Sequence, residues 1–433
     1  MKWSIGLFII FLWTSPQAKI YIDIDQSSSR AFPIAIVTPT VKNTQDKDLA
    51  EVSEVFIDTL RRDLRVMGVF DVISPKGFIE PQKEAGLLKA SEINFDHWKK
   101  IEAQGLVKGE IKNVADTFVI EMYLHDVTLQ KQLTAKRYVG KKDQAREMAH
   151  RFGNAVVHAL IGEQGVFDTQ IAFICNPKGK KELCMMSFNG WNYRKITDYK
   201  NIVLSPAWDP LTNSIYFTAF NKKEKPQLYL YQIDRKKILS LTSLPGMVIG
   251  LSFDPVSKNI ISALTKDGNS EIYLLNRYGD AIKRLTNHRK IDVSASYSPD
   301  GKEMVFVSDR DGSEQVYKMN LESQKVTRLT FKGTNNASPA WSPKGDKIAF
   351  SGMDTDRKVD IFVMNTDGSN LKRLTYDTGH NEDPTWAPDG NFIAFTSNRT
   401  GKSQIYMMRP NGKMQTQLTF KPWDHFMPAW ERK

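Results

Sequence analysis

The stretch WAPDGNFIAFTSNR, residues 386–399, crowds Asp and Gly together as a phosphate loop or a metal site does. DRDGSE (309–314) resembles a calcium loop, but it lacks the full spacing of ligands. His150 and His158 lie eight residues apart on one predicted helix, and without HExxH or a third ligand they read as packed or surface histidines. No GxSxG marks a nucleophile elbow, and about 135 residues ahead of the repeats described below are too few for a hydrolase domain. Cys175 and Cys184, the two cysteines, cannot build a structural zinc site without clustered His. They sit on neighbouring apolar runs, IAFIC and ELCMM. If these form a hairpin in an oxidising compartment, the pair is either a disulfide or two buried thiols. Catalytic residues, metal ligands and cofactors are therefore not expected.

The Asp-Gly cluster has a simpler explanation in a repeat. Trp386 recurs as Trp208, Phe253, Tyr297, Trp341 and Trp430, at gaps of 45, 44, 44, 45 and 44 residues. A second marker, Ile or Leu followed by Thr, keeps the same rhythm at Thr197, Thr242, Thr286, Thr330, Thr375 and Thr419. Each period holds four short β signals; around Trp341 they are ASPAWS, KIAFSG, DIFVMN and KRLTY. Between the first two comes SPDG, SPKG or APDG, which fits a type I turn with Pro second and Gly fourth. Asp and Gly thus turn the chain. Four antiparallel strands every ~45 residues predict a β-propeller of six blades with WD40-like repeats. Trp430 has no following turn, and the unit starting at Ile171 has no preceding PAW. The C-terminal strand is expected to pair with the first blade and close the ring.

The N-terminal third breaks the rhythm and reads as an α+β domain with an open sheet, residues 31–165, before a propeller over 166–433. Strands are expected at 31–39, 69–74, 105–113 and 117–127, with KRYVG continuing the sheet. Helices are expected at 48–64, on an apolar stripe, and at 143–162, ended by Gly162. Lys2 followed by the apolar run IGLFIIFLW and TSPQA predicts a secretory signal peptide over 1–18. The mature chain is then exported and not membrane-spanning, and with no Cys after the segment, lipidation is not expected. Composition is that of a globular protein, 41% hydrophobic and 25% charged. The net charge of +11 is scattered through loops without a recognition motif, so nucleic acid is not an expected partner.

Together, KIYIDID after the signal, GVFDTQIAFI at the junction, six PAWSPxG…IAF…LT units and the final MPAW resemble the TolB family of the Tol–Pal envelope system. The similarity covers essentially the whole chain. It implies a periplasmic, non-catalytic hub, expected to be monomeric on its own, that supports envelope integrity and cell division. Its implied partners are the peptidoglycan-associated lipoprotein at the propeller mouth, TolA through an N-terminal arm (19–30), and other outer-membrane proteins. A cell-wall glycan-binding propeller and a propeller lyase or hydrolase are the alternatives.

In the arm, Ile20, Ile22 and Ile24 alternate with Tyr21, Asp23 and Asp25, a lone strand able to add to another sheet through main-chain hydrogen bonds. An ordinary edge strand is the plainer reading. The mouth is built from loops entering the innermost strands and loops between second and third strands. Its candidate residues are Met247, Gly250, Asp292, Val293, Asn336, Glu382, Asp383 and His425, with Arg310 and Arg399 either anchoring a partner or packing over neighbouring blades. Basic loops on the first two blades and acidic ones further round suit the orienting of a protein partner. The family's partner-contacting His and Thr correspond here to Met247 and Val293, a departure that bears on the lipoprotein contacts and leaves the fold alone.

Overall fold

The computed structural model describes residues 31–41, 46–81, 84–199, 201–220, 225–241, 246–353 and 357–432. The expected signal segment and arm lie outside them.

The first domain is a mixed sheet backed by helices. Strands β1 (Phe32–Ile36), β2 (Thr40–Val41), β3 (Phe70–Val72), β4 (Gly105–Val114), β5 (Thr117–Asp126) and β6 (Lys131–Gly140) pair in the order β3-β1-β4-β5-β6, with β2 alongside β4. Helix α1 (Lys47–Met67) begins where the Asp46 side chain accepts the Asp48 and Leu49 amides. It ends at Gly68 in the left-handed region, as α3 (Ala145–Ile161) does at Gly162. The apolar stripe of α1 is buried at Leu49, Val52, Phe56, Leu60 and Leu64. The short helix α2 (Phe95–Lys99) was not read from the sequence; its Phe95 and Trp98 fill a second small core. His150 is buried against Asp63, Nδ1 to Oδ2 at 2.5 Å, and His158 is exposed.

Six four-stranded sheets follow. The first blade is assembled from both ends of the propeller: His425–Trp430 pairs with Gln170–Cys175, which pairs with Glu182–Ser187 and then Arg194–Lys195. Blades two to six run in sequence order from innermost strands Val203–Trp208, Val248–Phe253, Asp292–Tyr297, Asn335–Trp341 and Asn381–Trp386. The turns after these strands close with Gly301, Gly345 and Gly390 amides on the carbonyls of Ser298, Ser342 and Ala387, at 3.0, 2.9 and 2.9 Å.

Both sequence markers are structural. The six aromatics are buried between blades, and the Trp208 and Trp386 indoles donate to Ala429 and Ala340 carbonyls of the preceding blade's innermost strand, at 2.9 and 3.0 Å. In each of the five blades where it is described, the marker Thr ties the outer strand inward. Its hydroxyl accepts a third-strand amide and donates to the side chain starting that strand: Glu182, Glu271, Gln315, Asp360 or Gln404. A buried acid next to a threonine is thus a fastening in this repeat. Cys175 and Cys184 form a disulfide across the first blade's hairpin.

Candidate functional site

The first domain covers one face of the propeller. Phe152, Val156, Phe167, Phe188, Phe392 and Trp430 belong to one core running through the junction. Polar contacts flank it: Asn189 to Asp63 at 3.0 Å, Arg409 to the Met67 carbonyl, and Glu163 to Asn391 and Lys344. These propeller residues lie on turns between first and second, or third and fourth, strands. The opposite face, formed by loops entering the innermost strands and loops between second and third strands, is the mouth.

Along each innermost strand the fold sets three successive rings of residues. The first comprises Val203, Val248, Asp292, Asn336, Asn381 and His425, all buried. The second comprises Leu204, Ile249, Val293, Ala337, Glu382 and Phe426, all reached by solvent. The third is a ring of β-bulges at Ser205, Gly250, Ser294, Ser338, Asp383 and Met427, each with φ between 49° and 66°. Five of the six are not glycine, so the closed ring holds them against an intrinsic preference of about 1–2 kcal/mol each. At Gly250 the space is needed too: an added Cβ would stand 3.2 Å from the Cα of Ser294, the next bulge.

This register sorts the predicted mouth residues. Asp292, Asn336 and His425 belong to the buried ring and are committed internally. Asp292 receives a two-pronged contact from Arg310, at 3.0 and 3.1 Å. Asn336 bonds Gln315 of the preceding blade at 2.9 Å. His425 meets the Tyr193 hydroxyl at 3.2 Å, and burial depresses its ring to a pKa of about 4, so it is neutral. Arg310 and Arg399 repeat one design within their own blades. Each lies over two rings, Phe306 and Tyr317 or Phe395 and Tyr406, at 4.5–5.5 Å. Each bonds a serine two residues back, and each holds the start of its innermost strand, Asp292 or Asn381. These contacts lie within their own blades, because strand two's end faces its own blade's first strand.

Met247, Gly250, Val293, Glu382 and Asp383 remain at or in the opening. An axial channel of about 230 Å³ is lined by the bulge residues and by those that follow them, Pro206, Leu251, Ala295, Pro339, Pro384 and Pro428. Within it water reaches part of Asp383, yet protein encloses it, and desolvation raises its carboxyl above the ordinary range. The Ser338 hydroxyl at 2.9 Å and the Met427 amide work against that rise. Glu382 is raised by burial in the concave opening and by Asp383 beside it. The opening is therefore apolar around most of its second ring, with two carboxyls of raised pKa on blade six. The bulge ring was missed in the sequence, although its members keep the same 44–45 residue period. Among the described residues no group of three or more His, Cys, Asp or Glu is placed to hold a metal ion. The described helices include none long and apolar enough to cross a membrane.

Comparison with known proteins agrees with this architecture. The family model described as TolB beta propeller domain matches residues 157–358 and 334–433, and TolB amino-terminal domain matches residues 20–133. The Tol-Pal system protein TolB of Paramagnetospirillum magneticum is 34% identical over 237 residues, 53% of this chain and 51% of that one. Its counterpart from Desulfosudis oleivorans is 34% identical over 260 residues, 60% of this chain and 58% of that one. The chain thus spans about half the length of the curated relatives it matches. The crystal structure of TolB from Acinetobacter baumannii superposes with a TM-score of 0.81 at 27% identity, covering 96% of this chain and 100% of that one.

Proposed function

The chain belongs to the TolB family, and from that premise we propose that it is a non-catalytic interaction hub of the Tol–Pal system in the periplasm. The mouth receives the peptidoglycan-associated lipoprotein, and the arm at residues 19–25 adds as a strand to TolA, in support of envelope integrity and constriction at division. One observation supports this reading: among the described residues, the amino-terminal domain occupies one propeller face and leaves the mouth open on the other. A partner at the mouth and a partner on the first domain then use different surfaces. The two sites are coupled only if the mouth ligand favours one arrangement of the arm energetically.

Deletion of residues 19–25 is expected to abolish binding to TolA in a titration while leaving thermal unfolding of the propeller unchanged. Unchanged TolA affinity refutes the assignment of the arm. For the mouth, pull-down from an envelope extract separates the readings: a lipoprotein band supports the hub, and retention on glycan supports a cell-wall binding propeller.

A further inference from the structure

Charge in the axial channel is unbalanced. The channel holds two ionisable side chains, Asp383 and Arg432. Asp383 stands at the bulge ring, where the Ser338 hydroxyl and the Met427 amide offset its enclosure and its own pKa rises to meet the rest. Arg432 lies farther from the mouth, past the end of the strand that closes the ring and five residues beyond the bulge at Met427. Water reaches its side chain, yet protein surrounds it, and burial pulls the guanidinium below its ordinary pKa with no neighbouring acid to counter the loss. Asp383 does not act on Arg432, nor Arg432 on Asp383. Glu431, next in sequence, accepts the Gln170 amide at 2.9 Å in blade one. Among the described residues no hydrogen bond or ion pair holds the guanidinium. A carboxyl can answer enclosure by taking up a proton, but a guanidinium cannot shed one. An enclosed charge is tolerated only when an opposite charge and hydrogen bonds compensate it, so here solution must supply the anion.

The walls suit such an anion. Ser205, Ser296 and Thr385 line the channel, and each accepts a backbone amide of the next blade, from Gly250, Trp341 and Trp430, at 3.2, 3.1 and 3.5 Å. A hydroxyl used in this way keeps its hydrogen to donate, and no acceptor among the described residues takes it. The space of about 230 Å³ is far more than the ~30 Å³ share of one water. Shape and charge then select the class of anion. A guanidinium presents two parallel N–H groups to the two oxygens of a carboxylate. One carboxylate cancels one arginine, whereas a dianion such as phosphate places a further negative charge in a channel that already contains Asp383. We propose that the axial channel is a binding site for a small monocarboxylate, held by Arg432 at the end away from the mouth, with hydroxyl hydrogens of the channel wall directed to it. The site lies deeper than the rim assigned to a protein partner and does not depend on that assignment.

The probe is fluoroacetate, titrated into the mature chain, residues 19–433, and followed by the width of its fluorine NMR line. The line should broaden with the parent and sharpen again when acetate is added in excess. Arg432→Gln should weaken binding at least ~10-fold, and Arg432→Lys, which keeps the charge but loses the fork, should fall between the two. Lys283→Gln, exposed on the outer strand of blade three, should bind as the parent does. In carboxylate-free buffer Arg432→Gln should unfold at or above the temperature of the parent, because it removes an uncompensated charge. A lower unfolding temperature there makes Arg432 a fastening of the ring and overturns the site. Unchanged binding in Arg432→Gln, or an equal loss in Lys283→Gln, also overturns it. Displacement of fluoroacetate by chloride or phosphate as readily as by acetate leaves a counter-ion position and overturns the choice of a carboxylate.

Discussion

Arg310 offers a sharp separation between a partner anchor and a fastening, and Arg310→Ala is the perturbation. Asp292 has no exposed side-chain area, and the Arg310 side chain is 17% exposed, so their contact at 3.0 Å is nearly shielded from water. Removing the guanidinium strands a buried carboxylate, which costs about 3–5 kcal/mol, and the lost stacking on Phe306 and Tyr317 lies within that range. Blade six shows what relieves it: there Arg399 meets Asn381, a neutral residue in the position of Asp292. Asp292→Asn thus installs a pairing the fold already uses, at about 1 kcal/mol. With no charge left to strand, Arg310→Ala in that background should cost only about 1–2 kcal/mol. The double-mutant cycle should therefore show a coupling of about 2–3 kcal/mol. Urea unfolding of the propeller, followed by tryptophan fluorescence, measures all four corners. A cost below about 1 kcal/mol for Arg310→Ala, or simple additivity, would refute the fastening. If the double variant regains stability but not lipoprotein binding, Arg310 also touches the partner.

Two further outcomes follow from the same coordinates. Cys175 and Cys184 close a loop of nine residues in sequence separation, so the double serine variant should lose about 2–3 kcal/mol of propeller stability. The untreated exported chain should resist alkylation at both sulfurs until reduced, as peptide mass mapping can report. His425 and His125 both have their pKa lowered from 6.5 to about 4, by burial first. Between those values the unfolded chain binds more protons than the folded one, so stability falls as pH drops through this window. The loss approaches about 3 kcal/mol per histidine by pH 4. Asp383 and Glu382, whose carboxyls are raised, act in the opposite sense and gain on acidification. His425→Gln should flatten the pH dependence of the propeller Tm between pH 6.5 and 4 by about one proton; an unchanged slope rules the assignment out.

How much could be read beforehand depended on whether a residue repeats. The 44–45 residue period carries six blades because each blade must bury an aromatic against its neighbour and fasten its outer strand with Thr. Period and type therefore survive in the sequence. Pairing of His425–Trp430 with Gln170–Cys175 follows from a closed ring with incomplete units at its two ends. The mouth was harder. Asp292 and Val293, or His425 and Phe426, are adjacent and equally plausible by composition, yet one of each pair is buried and the other solvent-reached. That distinction is a register of one residue, and hydropathy does not encode it where the buried ring itself mixes Val, Asp, Asn and His. Arg310 and Arg399 stay open in the sequence between anchoring and packing for a related reason. An arginine in a polar loop gives no sign of its contacts until its serine, its two rings and its strand partner are seen converging on it.

The same rings explain how a rigid scaffold can change partners. Buried first-ring residues, marker threonines and interblade aromatics are held by contacts on every side, so substitution there is judged by folding. Second-ring residues, and the described residues that follow a marker Thr, are reached by solvent and are held less tightly. Leu204, Val293 and Glu382 occupy equivalent places, as do Asp198 and Phe331. The closed ring already supplies the bulge strain and spacing, so a change of side chain at these places redraws the mouth without moving it. Met247 and Val293, where the family is expected to carry His and Thr, lie at the opening next to the fixed ring.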